Sequence, residues 1–114
     1  MALIYKILGI EEWQNAENKG VFHGSGVDLA DGYIHFSTAD TVRETARKHF
    51  SGRDNLLLVA VDPDSLGAAL RWEPSRGGLL FPHLYAPLPT ALAVSTASLP
   101  RGPDGELRFP DGIA

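Results

Sequence analysis

Leu56-Leu57-Leu58-Val59-Ala60-Val61 is a run of six apolar residues with no polar position on either side of the pleat. Successive strand side chains point to opposite faces, so a strand of this composition has to be covered on both. The run predicts a central, fully buried strand and is far too short to cross a bilayer. The 114 residues of the chain are enough for one core, read as a single domain over residues 1–114 with 100–114 an extended C-terminal tail.

The rest of the chain supplies partners for that strand. Leu3 to Leu8 alternates around Tyr5 and Lys6 and reads as a first strand ending at Gly9. Ile10 to Glu17 fits a short helix with Trp13 as its inward anchor, closed by Lys19-Gly20 with glycine at the C′ position. Val21 to Leu29, broken by Gly24 and Gly26, reads as a loop with room for a short extended piece. Tyr33 to Phe36 is a second strand launched by the turn dipeptide Asp31-Gly32. A second helix is expected from about Ala39 to Phe50, with Val42, Ala46 and Phe50 on one stripe.

Further strands are expected at Leu70 to Glu73, Leu79 to Tyr85 and Leu92 to Leu99, with Pro82 marking an edge or a bend. Leu107 and Phe109 are the anchors of the tail. About six short strands and two helices make the chain α+β.

Composition bounds the setting. Hydrophobic content of 44% and charged content of 21% are those of a soluble globular protein. A net charge of −4 argues against a dedicated nucleic-acid binder. The first residues lack a charged leader and cleavage region, no membrane span is expected, and the absence of cysteine excludes disulfides and thiolate chemistry. The expected location is the cytoplasm.

The chemistry concentrates in three stretches. Asp31-Gly32-Tyr33-Ile34-His35-Phe36-Ser37-Thr38 places a histidine opposite Ile34 and Phe36, then two hydroxyls at the rim where the strand gives way to a helix. Helix N-termini at such strand ends attract anionic ligands, so His35, Ser37 and Thr38 are candidate ligand-binding residues. In Arg71-Trp72-Glu73, Arg71 and Glu73 share one strand face and Trp72 takes the other, inward as core. Glu73 suits a substrate hydroxyl and Arg71 or Arg76 a phosphate; the plainer reading is a surface ion pair.

Phe81-Pro82-His83-Leu84-Tyr85 mixes aromatics, proline and histidine, and offers His83 and a ring with a polar tip at Tyr85. Its plainer reading is a kinked edge strand with His83 exposed. His23 sits in a glycine-flanked loop and His49 near the end of the second helix. A metal site built from His35, His83 and Glu73 has no sequence spacing behind it. No phosphate-loop, dinucleotide or nucleophile-elbow motif is present.

In order and spacing, these three stretches resemble the uncharacterised, mostly bacterial domain-of-unknown-function family numbered nine-five-two, from Ile4 to about Leu99. More distantly, Tyr33-Ile34-His35-Phe36-Ser37 is similar to the strand motif of the ADP-ribosyltransferase-like superfamily, which includes the NAD-consuming RNA 2′-phosphotransferases. That resemblance implies a split, mainly antiparallel β core with flanking helices that grips NAD in a cleft.

It also implies that His35 binds the nicotinamide ribose or a phosphate, that Tyr85 or Phe81 stacks on the nicotinamide, and that Glu73 orients the ribose hydroxyl as the catalytic residue. The chain departs from those transferases on its first strand. Lys6 stands where they use a histidine or arginine, and it offers a charge without a bidentate fork. Three functions follow as expectations: a cleft for a nucleotide or NAD-type small molecule, an NAD-dependent ADP-ribosyl or 2′-phosphate transferase, and a non-catalytic interaction protein.

Overall fold

The computed structural model describes residues 2–113, and of Arg76 the backbone alone. In chain order the elements are β1 (Ile4–Gly9), α1 (Ile10–Lys19), β2 (Val21–Phe22), α2 (Gly26–Asp31), β3 (Ile34–His35), β4 (Ser37–Thr38), α3 (Val42–His49), β5 (Leu56–Val61), β6 (Leu70–Pro74), β7 (Leu80–Leu84), β8 (Leu88–Pro89) and β9 (Ala93–Ser98). Short 3-10 turns at Pro63–Ala69, Arg76–Gly78 and Thr90–Leu92 join some of them. The strands form three antiparallel sheets ordered β4-β1-β5-β9, β2-β8 and β3-β7-β6. The architecture is α+β.

β5 is central, as its composition requires. It pairs with β1 from Ile4↔Val61 to Gly9↔Leu56, and with β9 from Leu57↔Ser98 to Val61↔Ala93. Its side chains divide between two cores. Val59 and Val61 pack with Ile4, Leu8, Trp13 and Ile34 on one face, and Leu56, Leu58 and Ala60 with Tyr5, Ile7, Val42 and Ala46 on the other. Two-residue periodicity in β1 and β5 therefore builds both cores at once. α1 closes at Gly20 with a left-handed glycine, and α3 turns Val42 and Ala46 inward with Phe50 half-buried. No helix among the described residues is long and apolar enough to cross a membrane.

The structure differs from the sequence expectations in five places. The segment read as a loop with a short extended piece holds that piece as β2 but also α2, because Ser25 starts a helix whose Asp28 accepts a hydrogen bond from Ser25 N at 2.9 Å. The second strand is two strands in different sheets. His35 pairs with His83 of β7, whereas Ser37 and Thr38 pair with Tyr5 and Ile4 of β1, so the chain crosses between sheets at Phe36. Ser37 and Thr38 are thus strand residues and do not cap α3, which starts at Val42 behind Thr41.

β7 is the middle strand of its sheet despite Pro82. The Pro82 carbonyl accepts from Phe36 N at 3.0 Å. A strand residue's N and C=O face the same neighbour, so the missing N–H points to the β3 side where that partner ends. His83 is consequently buried, 4% exposed, rather than on an open edge. Trp72 is 45% exposed and is not core: it shares the face that Leu70 and Leu84 turn to the first core, but it stands on the outer strand of the small sheet, beyond the cover that buries Leu84 and Pro82.

Residues 100–113 fold back on α3 through the Arg101↔Leu107 bridge, with Leu107, Phe109 and Ile113 against the second core. Truncating Leu8, which is 1% exposed between β1 and the first core, should lower unfolding free energy by about 2–5 kcal/mol in a denaturant titration. The same truncation of exposed Val94 on β9 should cost within about 0.5 kcal/mol.

Candidate functional site

Lys6 shares its face of β1 with Ile4 and Leu8, so strand alternation carries an ammonium into the apolar layer between β5 and the small sheet. Such a group needs a counter-charge. Asp28 of α2 supplies it, with Lys6 Nζ 2.8 Å from Oδ2 and 3.0 Å from Oδ1 and both side chains buried. The carboxylate is held from three further directions, by Ser25 N at 2.9 Å, His35 N at 3.0 Å and His35 Nδ1 at 2.6 Å. Gly24, at φ 120°, makes the approach possible, because a Cβ there would stand 2.8 Å from the Asp28 Cβ.

Burial by itself pushes the Asp28 carboxyl up. The His35 hydrogen bond, the charge and hydrogen bond of Lys6 and the Ser25 N–H outweigh it and hold the group at about 2. Burial pushes the Lys6 ammonium below its ordinary value, opposed by Asp28 and Glu12.

His35 Nε2 reaches Asp31 Oδ2 at 2.9 Å, so its ring lies between two carboxylates three residues apart on α2. Either ring nitrogen can donate to the carboxylate it faces. Across the β3–β7 register stands His83, its ring 5.4 Å away edge-on. His83 Nδ1 lies 2.8 Å from Glu73 Oε1, and the Tyr85 hydroxyl donates to the same oxygen at 2.7 Å.

These bonds from Tyr85 and His83 draw the Glu73 carboxyl below its ordinary value, and the same carboxylate raises the Tyr85 phenol. Glu73 as a carboxylate can only accept. Nδ1–H is therefore the donor, and Nε2 is the ring nitrogen left for a ligand. Tyr33 lies over the assembly, its ring centroid 4.2 Å from His83, 4.5 Å from His35 and 5.1 Å from Tyr85. Burial, then the charges of Asp31 and Glu73, raise the Tyr33 phenol. The Arg71 guanidinium sits 4.7 Å above the Tyr85 ring.

β4 covers only Ile4 and Tyr5 of β1, and a cleft of about 630 Å3 opens along the strand edge beyond it. Lys6, His35 and His83 line this cleft, as do Ser37 and Phe81, with Lys48 and Arg53 from the end of α3 and the loop after it. Of the residues singled out in the sequence, His35, Ser37 and His83 thus face one space. Glu73, Tyr85 and Arg71 stand behind His83 and do not line it. The Ser37 hydroxyl is bonded to Thr45 at 2.8 Å.

Thr38 turns away to Thr41 at 3.1 Å, His49 lines the cleft, and exposed His23 does not. The Arg76 side chain lies outside the described residues. No group of three or more His, Cys, Asp or Glu side chains suited to a metal ion occurs among the described residues. Asp28, Asp31 and Tyr33 were not foreseen as site members. Ser25-Gly26-Val27-Asp28 carried a usable signal, the Ser-x-x-acid pattern of a helix start.

Asp28→Ala leaves a buried ammonium unpaired and should cost about 3–5 kcal/mol in chemical denaturation. The native Asp28 carboxyl at about 2 lies below its ordinary 3.8. Its stabilisation is thus complete above about pH 4 and is lost as pH falls from about 4 towards 2. A stability profile in which this acid loss persists unchanged after Asp28→Asn contradicts the assignment.

The Protein of unknown function (DUF952) family matches residues 7–96. No curated protein matches the chain. Among solved structures it is similar to the crystal structure of protein CC0527 from Caulobacter crescentus, at 50% identity over 93% of each chain with a TM-score of 0.90. The solution NMR structure of CC0527 matches at 51% identity, over 91% of this chain and 90% of that one, with a TM-score of 0.83. A family match over most of the length and a half-identical relative of the same fold lead to one conclusion: the chain belongs to the DUF952 family of proteins of unknown function.

Proposed function

We propose that this protein binds a small nucleotide-type molecule, carrying sugar hydroxyls and negative charge, in the cleft over Lys6, His35 and His83. The observation that carries the reading is the Glu73–His83 pair. A carboxylate fixes one imidazole nitrogen as a donor and leaves the other for a hydrogen bond with a group such as a ribose hydroxyl. The cations suit phosphate. Lys6 and His35 both meet the single buried carboxylate of Asp28, and Lys48 and Arg53 add positive charge to the lining.

A volume of about 630 Å3 falls in the range of small-molecule sites. Arg71, Tyr85 and Glu73 act through His83, and Ser37 and Thr38 hold the adjoining strand in place. The resemblance of Tyr33-Ile34-His35-Phe36-Ser37 to the ADP-ribosyltransferase-like superfamily, with the split antiparallel sheets, supports an NAD-type ligand, and a cysteine-free sequence fits a reducing, cytoplasmic setting.

A second reading, NAD-dependent transfer of an ADP-ribosyl group or a 2′-phosphate, is favoured by the ionised state of Glu73. Cleavage of the nicotinamide bond leaves positive charge on the sugar, which a neighbouring carboxylate stabilises. The non-catalytic interaction protein is the third reading. Nothing in the site favours it over the cleft.

In a thermal-shift panel NAD, ADP-ribose and ADP should raise the melting temperature, because a ligand that binds only the native state stabilises it. His83→Ala should abolish the rise while melting cooperatively. A panel with no shift for any of the three sinks the nucleotide reading. Incubation with NAD should release nicotinamide if the transferase reading holds, with loss of at least tenfold in Glu73→Gln; undiminished release in that variant removes Glu73 from the reaction.

A further inference from the structure

A second cavity, of about 380 Å3, lies on the opposite side of α3, between that helix and the folded-back residues 101–109. Four guanidinium groups line it, those of Arg43, Arg47, Arg101 and Arg108, against only two acids, Asp104 and Glu106. The wider charge distribution points the same way. The chain is net −4, yet six of its ten Lys and Arg residues (Arg43, Arg47, Lys48, Arg53, Arg101, Arg108) fall on α3, the loop after it and the C-terminal turn. A cationic concavity on an anionic protein concentrates anions locally. Its apolar part consists of Ala46, Phe50, Leu107 and Phe109.

The arginines are held in place. Arg101 donates to the carbonyls of Arg53 and Gly105 and lies 3.1 Å from Asp54. Arg108 lies across Gly102, where any Cβ would collide with its guanidinium, and pairs with Asp104 at 2.9 Å. Arg43 and Arg47, one turn apart on α3, share a face. The first reaches the Ile113 carbonyl at 2.9 Å and lies over the Phe109 ring at 5.1 Å, and the second pairs with Glu106 at 3.0 Å.

The Arg47–Glu106 and Arg108–Asp104 pairs are half-exposed at both ends. Pairs of that kind contribute little, so an arriving dianion gives up little by competing for their donors. Planar guanidinium forks match the oxygens of a phosphoryl group better than a point charge does.

We propose that this cavity is a second binding site, distinct from the β1-edge cleft, for a small phosphate monoester. Its phosphoryl group is received by Arg47, Arg101 and Arg108, and its apolar body lies against Phe50 and Phe109. The site is independent of the nucleotide reading, because none of these arginines lines the cleft.

Phenyl phosphate is the probe, followed by calorimetry and by amide and arginine Nε shifts in NMR at low salt. It should bind saturably and several-fold more tightly than inorganic phosphate, with the shifts centred on α3 and residues 101–109. Arg47→Gln and Arg108→Gln should each weaken it about tenfold or more. Glu106→Gln, which removes a competing carboxylate, should tighten it, a gain that a misfolded variant cannot produce. Absence of saturable binding overturns the proposal, as does unchanged affinity in both arginine variants. Affinity lost in His83→Ala but kept in Arg47→Gln also overturns it, since it locates the probe in the other cleft.

Discussion

The buried contact between Lys6 and Asp28 organises this protein. Taking an ammonium and a carboxylate out of water costs several kilocalories per mole for each ion, and their attraction repays it only when the geometry is good and the remaining oxygens are bonded. Here they are. Asp28 spends its two oxygens on Lys6, Ser25 N, His35 N and His35 Nδ1, and so ties β1, the start of α2 and β3 to one point. A buried pair of this kind is weak evidence for stability, since an apolar pair of equal volume often serves as well.

From that point the site is built outward in layers. His35 is clamped by two acids of a single helical turn, and the register of β3 against β7 places His83 beside it. Glu73 of β6 then reaches diagonally to His83, two residues from the position directly opposite, a distance that a glutamate spans. Each histidine is thus oriented by a carboxylate from a different element, and Tyr33 packs against both rings. The same register sets Trp72 beside Pro82 on the face that Leu70 and Leu84 turn to the first core, and leaves Arg71 and Glu73 on the face of the two histidines.

Residues that act through local pattern were legible in the chain. The all-apolar run announced β5, and the spacing of Val42 and Ala46 announced the buried side of α3. The alternation around Arg71, Trp72 and Glu73 correctly put the two charges together. It did not say how far the Trp72 face is covered, because a two-residue period fixes only that neighbours are opposed, and whether Trp72 is buried depends on what packs there.

Pro82 misled for a related reason: its missing donor matters only where a partner strand is present to need it. Lys6 read as an ordinary alternating polar residue and as a departure from related transferases. Its counter-charge lay 22 residues away in a segment that its glycines made look irregular.

The sequence by itself determined the strand and helix content of the two cores, the candidate trio of His35, Glu73 and His83, and membership of the DUF952 family. Periodicity and turn chemistry act within a few residues, and the chain states them directly. Only the tertiary structure decided that Asp28 joins Lys6 to His35, that Glu73 serves His83 from behind, and that the C-terminal residues return to set Arg101 and Arg108 beside α3. Those contacts pair groups seven to more than fifty residues apart, and their energy depends on burial and distance, quantities that exist only once the sheets have closed.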